Sequence, residues 1–156
     1  MSQSAESSFV YVTFIRTTPE KLWSALTDAN QMKEYWFGMH IKTKWKAGAE
    51  WQMLFPDGKV ADTGEILELE RPKRIRLKWR NEFKPELKAE GFSVCTFEIE
   101  PVGGAVRLTI THTMERAESK FIKAVSSGWP KILSSLKSLL ETGQIILTET
   151  DHSHAR

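Results

Sequence analysis

SKFIKAVSSGWPKILSSLKSLLET, residues 119–142, is the stretch around which the rest of the chain is arranged. Apolar residues recur at Phe121, Ile122, Val125, Trp129, Ile132, Leu133, Leu136, Leu139 and Leu140. Steps of three and four residues place them on one broad helical face. Lys120, Lys123, Ser126, Ser127, Lys131, Ser134, Ser135 and Lys137 fall on the other. Gly143 stands where a left-handed residue would end the helix. Pro130 cannot donate a helical hydrogen bond and, with Gly128, predicts a kink or restart near Trp129. At about 1.5 Å per residue the helix spans roughly 36 Å, longer than an ordinary one. A one-sided helix of that length needs a wide apolar surface to lie on, and the preceding chain reads as that surface.

Residues 9–16, FVYVTFIR, are β-branched and aromatic and predict a strand. Thr18 then caps a helix that opens on Pro19, with Leu22, Trp23 and Leu26 on one face. Asp28 restarts a second short helix carrying Met32, Tyr35 and Trp36, so the two form a V. Strands follow at hairpin spacing. Residues 39–45 alternate, with Ile41, Thr43 and Trp45 on one side; Trp51, Met53 and Phe55 share a face of residues 49–55. Pro56-Asp57-Gly58 is a turn. Residues 59–70 form the next strand; in residues 74–80, Ile75, Leu77 and Trp79 point inward and Arg74, Arg76, Lys78 and Arg80 outward. The charged residues 81–90 read as a mobile loop. Two last strands carry Cys95, Phe97 and Ile99, then Val106, Leu108, Ile110 and His112. The order is strand, two helices, six antiparallel strands in meander, long helix: an α+β two-layer domain with seven strands. Residues 1–8 are expected to be disordered, 9–146 to form the single domain and 147–156 to fray.

Composition narrows the functional classes. The 156 residues suit one domain, and 22 basic against 20 acidic residues leave a net charge of +2. That balance argues against nucleic-acid and membrane partners. The single Cys95 excludes an internal disulfide and the usual structural zinc site, which fits a reducing compartment. MSQSAESS has neither a basic start nor an apolar run, so no secretory leader is expected, and no apolar run reaches the roughly 18 residues of a membrane span. The expectation is a cytoplasmic protein.

Several segments carry a resemblance. TTPEKLWSALTDANQMKEYW at 17–36, Gly64-Glu65-Ile66-Leu67, Glu70-Arg71-Pro72-Lys73-Arg74, Leu108-Thr109-Ile110-Thr111-His112, and Gly128-Trp129-Pro130 with LKSLLETG at 136–143 together span most of the chain. The chain resembles the START-like, birch-pollen-allergen-like (SRPBCC) superfamily, in its branch named after the activator of the heat-shock chaperone ATPase. The resemblance implies a helix-grip fold, a curved sheet wrapped around the C-terminal helix with a cavity between them. These motifs are structural, and they specify fold better than activity.

The lining such a cavity would have is Trp51, Met53, Phe55, Trp79, Phe97, Phe121, Val125 and Trp129, with Trp36 at the mouth. These groups suit a small apolar or aromatic ligand, and equally the packed core of any domain of this size. His112 is the inward ionisable group; a core histidine and a polar contact in a pocket are the two readings of it. No carboxylate can be placed beside it, so no acid–base pair is assembled. Cys95 has no activating base, and the H-x-H of His152 and His154 lies in the tail. No Walker loop, GxGxxG, HExxH or GxSxG occurs, so neither metal nor cofactor is expected. Lys42, Lys44, Arg74, Arg76, Lys78 and Arg80 on the outer face keep a sheet soluble, with Glu50, Glu98 and Glu100 diluting any field for an acidic partner.

Three functions follow as expectations. The first is non-enzymatic binding of a small apolar ligand between sheet and helix. The second, implied by the family, is a co-chaperone-like module that binds a chaperone or another protein. The third is a cyclase or dehydratase with His112 as acid or base. Exposed strand edges allow a monomer or a homodimer.

Overall fold

The structure, a computed structural model, describes residues 6–147. Strand β1 (Ser7–Ile15) is followed by α1 (Pro19–Thr27), α2 (Ala29–Tyr35), β2 (His40–Lys42), β3 (Glu50–Leu54), β4 (Val60–Glu70) and β5 (Arg74–Asn81). A short α3 (Pro85–Lys88), then β6 (Ser93–Val102), β7 (Ala105–Met114) and α4 (Lys120–Thr142), complete the chain. The seven strands form one antiparallel sheet in the order β1-β7-β6-β5-β4-β3-β2. This is the seven-stranded helix-grip architecture, with α4 on the inner face.

Local chemistry explains the elements. The Thr18 hydroxyl accepts from the Lys21 amide at 3.2 Å, and Pro19 opens α1. Asp28 ends one helix and starts the next: its amide donates to the Ser24 carbonyl at 2.9 Å, and its carboxylate accepts from the Gln31 amide at 3.2 Å. That shared residue makes the V, closed by the Tyr35 hydroxyl donating to the Ala25 carbonyl at 2.8 Å. In β7 the two-residue period buries Val106, Leu108, Ile110, His112 and Met114. The Ser119 hydroxyl caps α4 by accepting from the Ile122 amide at 3.1 Å, and Gly143 ends it at φ 83°.

Several expectations are corrected. The helix runs unbroken through Pro130, so the restart does not occur. Ser135, assigned to its polar face, is buried and accepts the Leu147 amide at 3.3 Å, which ties down the start of the stretch read as tail. The strand at 39–45 stops at Lys42 because Trp45 turns to φ 49°, which takes Thr43 and Trp45 out of the sheet. Ser7 and Ser8, placed in a disordered N-terminus, belong to β1. Residues 81–90 are anchored: Asn81 ends β5, Leu87 of α3 is buried, and Glu90 caps α4. His152 and His154 lie outside the described residues.

Candidate functional site

Under α4 the inward aromatic residues meet ring to ring. Trp36 stacks on Trp79 at a centroid distance of 6.3 Å and meets Trp129 edge-on at 5.4 Å; Trp79 meets Trp129 at 5.9 Å. Trp51 packs on Trp79 at 4.7 Å, Phe97 on Trp129 at 5.7 Å, and Phe121 on His112 at 5.3 Å. Met53 and Val125 are buried in the same core. Phe55 is half-buried at its rim, against Phe83 at 5.1 Å, because β3 ends one residue before it. The sheet and α4 thus bring the expected lining together, with Phe55 at the margin.

Trp51 sets a constraint that sequence alone hides. Its indole N–H donates across Gly64 to the Lys78 carbonyl at 3.0 Å. A Cβ on Gly64 would sit 1.6 Å from that carbonyl oxygen and 2.6 Å from the indole nitrogen, so the ring lies where a side chain would be.

His112 is held on both ring nitrogens. The Trp129 indole, which can only donate, reaches Nδ1 at 3.2 Å. Nδ1 is therefore an acceptor, and the ring proton sits on Nε2, facing the Ser93 hydroxyl at 2.8 Å. Ser93 in turn donates to the Trp79 carbonyl at 3.0 Å. This relay engages both ring nitrogens of a fully buried imidazole within the core. Burial pushes the Cys95 thiol well up, which makes it a poor nucleophile.

A few strand positions away the polar groups are less complete. The indole N–H groups of Trp36 and Trp79 and the amide nitrogen of Asn81 are buried with no acceptor among the described residues. Asp62, also fully buried, lies opposite Asn81 in the pairing of β4 with β5. Sequence reasoning missed Asp62, Asn81 and Ser93. The alternation that put Trp79 and Cys95 inward extends to Asn81 and Ser93, and Asp62 is in register with inward Met53. Among the described residues no cluster of His, Cys, Asp or Glu could hold a metal ion.

Outside the sheet, a groove of about 920 Å³ runs over β2 to β5. Lys42, Lys44, Lys46, Lys78 and Arg80 line it, together with Glu50 and Glu65. Phe92 lies under the Lys78 and Arg80 cations at 4.8 and 4.7 Å. Arg80 is also paired with Glu82 at 2.6 Å.

The fold and its interior define a helix-grip domain of the START-like class. Within that class the chain belongs to the family "Activator of Hsp90 ATPase homolog 1-like protein", whose family model matches residues 16–141. Among solved structures it is similar to protein MLL2253 from Mesorhizobium loti, at 25% identity and a TM-score of 0.74, over 86% of this chain and 96% of that one. It is similar to the Aha1 dimer from Colwellia psychrerythraea at 20% identity and 0.71, over 88% and 98% of the two chains. It also matches PFC0360w, an HSP90 activator from Plasmodium falciparum, at 23% and 0.69, over 85% and 95%. The last two likenesses are of fold alone. No curated protein matches the chain. No described helix is long and apolar enough to cross a membrane.

Proposed function

We propose that this chain is a non-catalytic binding module that takes a small, flat, mainly apolar molecule between the sheet and α4. Its lining would be the ring cluster of Trp36, Trp51, Trp79, Phe97, Phe121 and Trp129 with Met53 and Val125, and with Phe55 at the rim and His112 behind. The observation that carries this reading is the pair of buried indole N–H groups of Trp36 and Trp79 without acceptors. A buried donor left unpaired costs about 1–3 kcal/mol. A ligand with an aromatic face and a carbonyl or ether oxygen would recover that cost while matching the rings around it. The closed hydrogen bonds of His112 favour binding over turnover. Native mass spectrometry of freshly purified protein tests the reading: an adduct lost on denaturation is expected. A clean apo mass, with no thermal shift from a panel of planar aromatic compounds, would overturn it.

A second reading, a protein-binding module, is favoured by the outer groove. Its lysines suit an acidic segment of a partner, and one similar structure is that of an HSP90 activator. Stimulation of a chaperone ATPase by the purified chain, lost when Lys42, Lys44 and Lys46 are changed to Glu, is the result this reading requires.

A further inference from the structure

Strand β1 is one of the two edges of the sheet and pairs only with β7, and its sequence, SSFVYVTFI, contains no charge and no proline. Proteins ordinarily blunt such an edge with lysine, proline or a bulge. Here both faces of the strand are apolar. Val10, Val12 and Phe14 are 55%, 48% and 50% exposed on the outer face, and half-buried Phe9 and Tyr11 stack at 6.3 Å on the inner one.

The direction of the free hydrogen-bonding groups can be read from two contacts. Lys137 Nζ donates to the Phe14 carbonyl, and the Arg16 amide donates to Glu141 Oε2 at 2.8 Å. Both come from α4, on the side away from β7. Alternate residues of an antiparallel strand turn their N–H and C=O to the same side, so those of Ser8, Val10 and Val12 face the free edge too. Among the described residues nothing bonds them there. The helix therefore plugs the edge at Phe14 and Arg16 and leaves its middle open.

We infer that the open middle pairs with β1 of a second copy of this chain, antiparallel about a two-fold axis at Val10. In that register Ser8 faces the partner's Val12, and Val10 faces the partner's Val10, so every free residue meets a hydrogen-bonding counterpart. A two-fold at Val12 would set Val10 against the partner's Phe14, whose carbonyl Lys137 already holds. A two-fold at Ser8 would leave Val12 beyond the partner's strand. The Val10 register also sets Glu6 opposite the partner's Phe14, beside a Lys137 that is already paired with Glu141 at 2.8 Å. The apolar stripes on the two faces then run on across the junction, and the symmetric pair consumes the edge, closing the assembly as a dimer.

Sedimentation equilibrium of the full chain over a range of concentrations tests this. The wild type is expected to be a dimer, with slow hydrogen exchange at the amides of Ser8, Val10 and Val12. Because Val10 faces itself, V10K opposes two lysines and is expected to weaken association more than about tenfold. Val10 is exposed, so the far-UV spectrum of the variant should stay native, and its melting should match that of the wild type diluted to monomer. V12K, opposite the partner's Ser8, is expected to weaken it less. Mixing V10K with V10E should restore the dimer, a result that only this register gives. A monomer at every concentration, a dimer indifferent to V10K, or a V10K and V10E mixture that stays monomeric would each overturn the inference. So would slow amides in a monomer, which would mean that another segment of the same chain covers the edge.

Discussion

The interior has two ends with the same residue types and opposite bookkeeping of hydrogen bonds. Toward β7, the Trp129 indole, His112, Ser93 and the Trp79 carbonyl form an unbroken donor-to-acceptor chain. Toward β4 and α2, the indoles of Trp36 and Trp79 and the Asn81 amide have no acceptor among the described residues. Trp79 belongs to both ends, its carbonyl in the closed chain and its ring nitrogen in the open one. The contrast shows that a buried aromatic cluster is not one site. One end is finished as a core, and a ligand could gain hydrogen bonds only at the other.

Substitutions separate the two ends. The largest effect is expected between them, at Gly64. With a Cβ 1.6 Å from the Lys78 carbonyl, Gly64→Ala must either part β4 from β5 or eject Trp51. Urea denaturation should show a loss of about 3 kcal/mol or more. Wild-type stability in that variant would mean that the Trp51 ring does not lie over the glycine.

A tryptophan-to-phenylalanine series sharpens the comparison directly, since each member loses the same volume and one N–H. Trp129→Phe strands His112 Nδ1, and Trp51→Phe takes one hydrogen bond from the Lys78 carbonyl, which also lies in the β4–β5 ladder. Each should cost about 1–2 kcal/mol more than Trp36→Phe, because each loses a hydrogen bond that is made in the fold. Equal losses across the series would erase the distinction between a closed and an open end.

How far this was legible in the sequence depends on which physical pattern carried each feature. Helix α4, its Ser119 and Gly143 ends and the inward set on β5 to β7 follow from periodicity, and a long repeat survives local irregularity. The open end does not. Asp62 becomes inward through a pairing that is irregular at Met53 and Leu54, and its placement depends on a bulge that composition does not reveal. Asn81 is hidden because the charged stretch reads as beginning there, although the β5 alternation reaches it. Trp45 shows the opposite failure: a clean alternation predicted a strand, and a left-handed turn at φ 49° ended it. The ring contacts at the site were foreseeable as a set, whereas which nitrogens have partners depends on side-chain rotamers.

A smaller effect is expected where residues 81–90 are fastened to α4. Burial pushes the Glu90 carboxyl up, but the bonds it accepts from the Ser119 hydroxyl and the Lys120 and Phe121 amides outweigh this and hold it below the usual range. Its folded pKa is thus depressed. The stabilisation is complete above the unfolded value of about 4.3 and is lost as pH falls below it. Glu90→Gln should cost about 1 kcal/mol at neutral pH, and the gap to the wild type should close on acidification. Glu82 works in the same sense: burial raises it, and Arg80, Thr63 and Lys88 draw it down to about 2. A gap that widened in acid would show that Glu90 is protonated in the fold.

The smallest change in stability is expected at Trp36, and it decides most about function. Trp36→Phe removes a donor that has no acceptor, so the small packing loss is offset by relief of an unmet hydrogen bond. The net change should stay within about 1 kcal/mol. Affinity for an acceptor-bearing aromatic ligand should nevertheless fall by roughly tenfold, the worth of one hydrogen bond. A variant that is both stable and still binds would place the ligand away from the open end. A variant that unfolds would mean that Trp36 serves the core as Trp129 does, and the two ends would then be one.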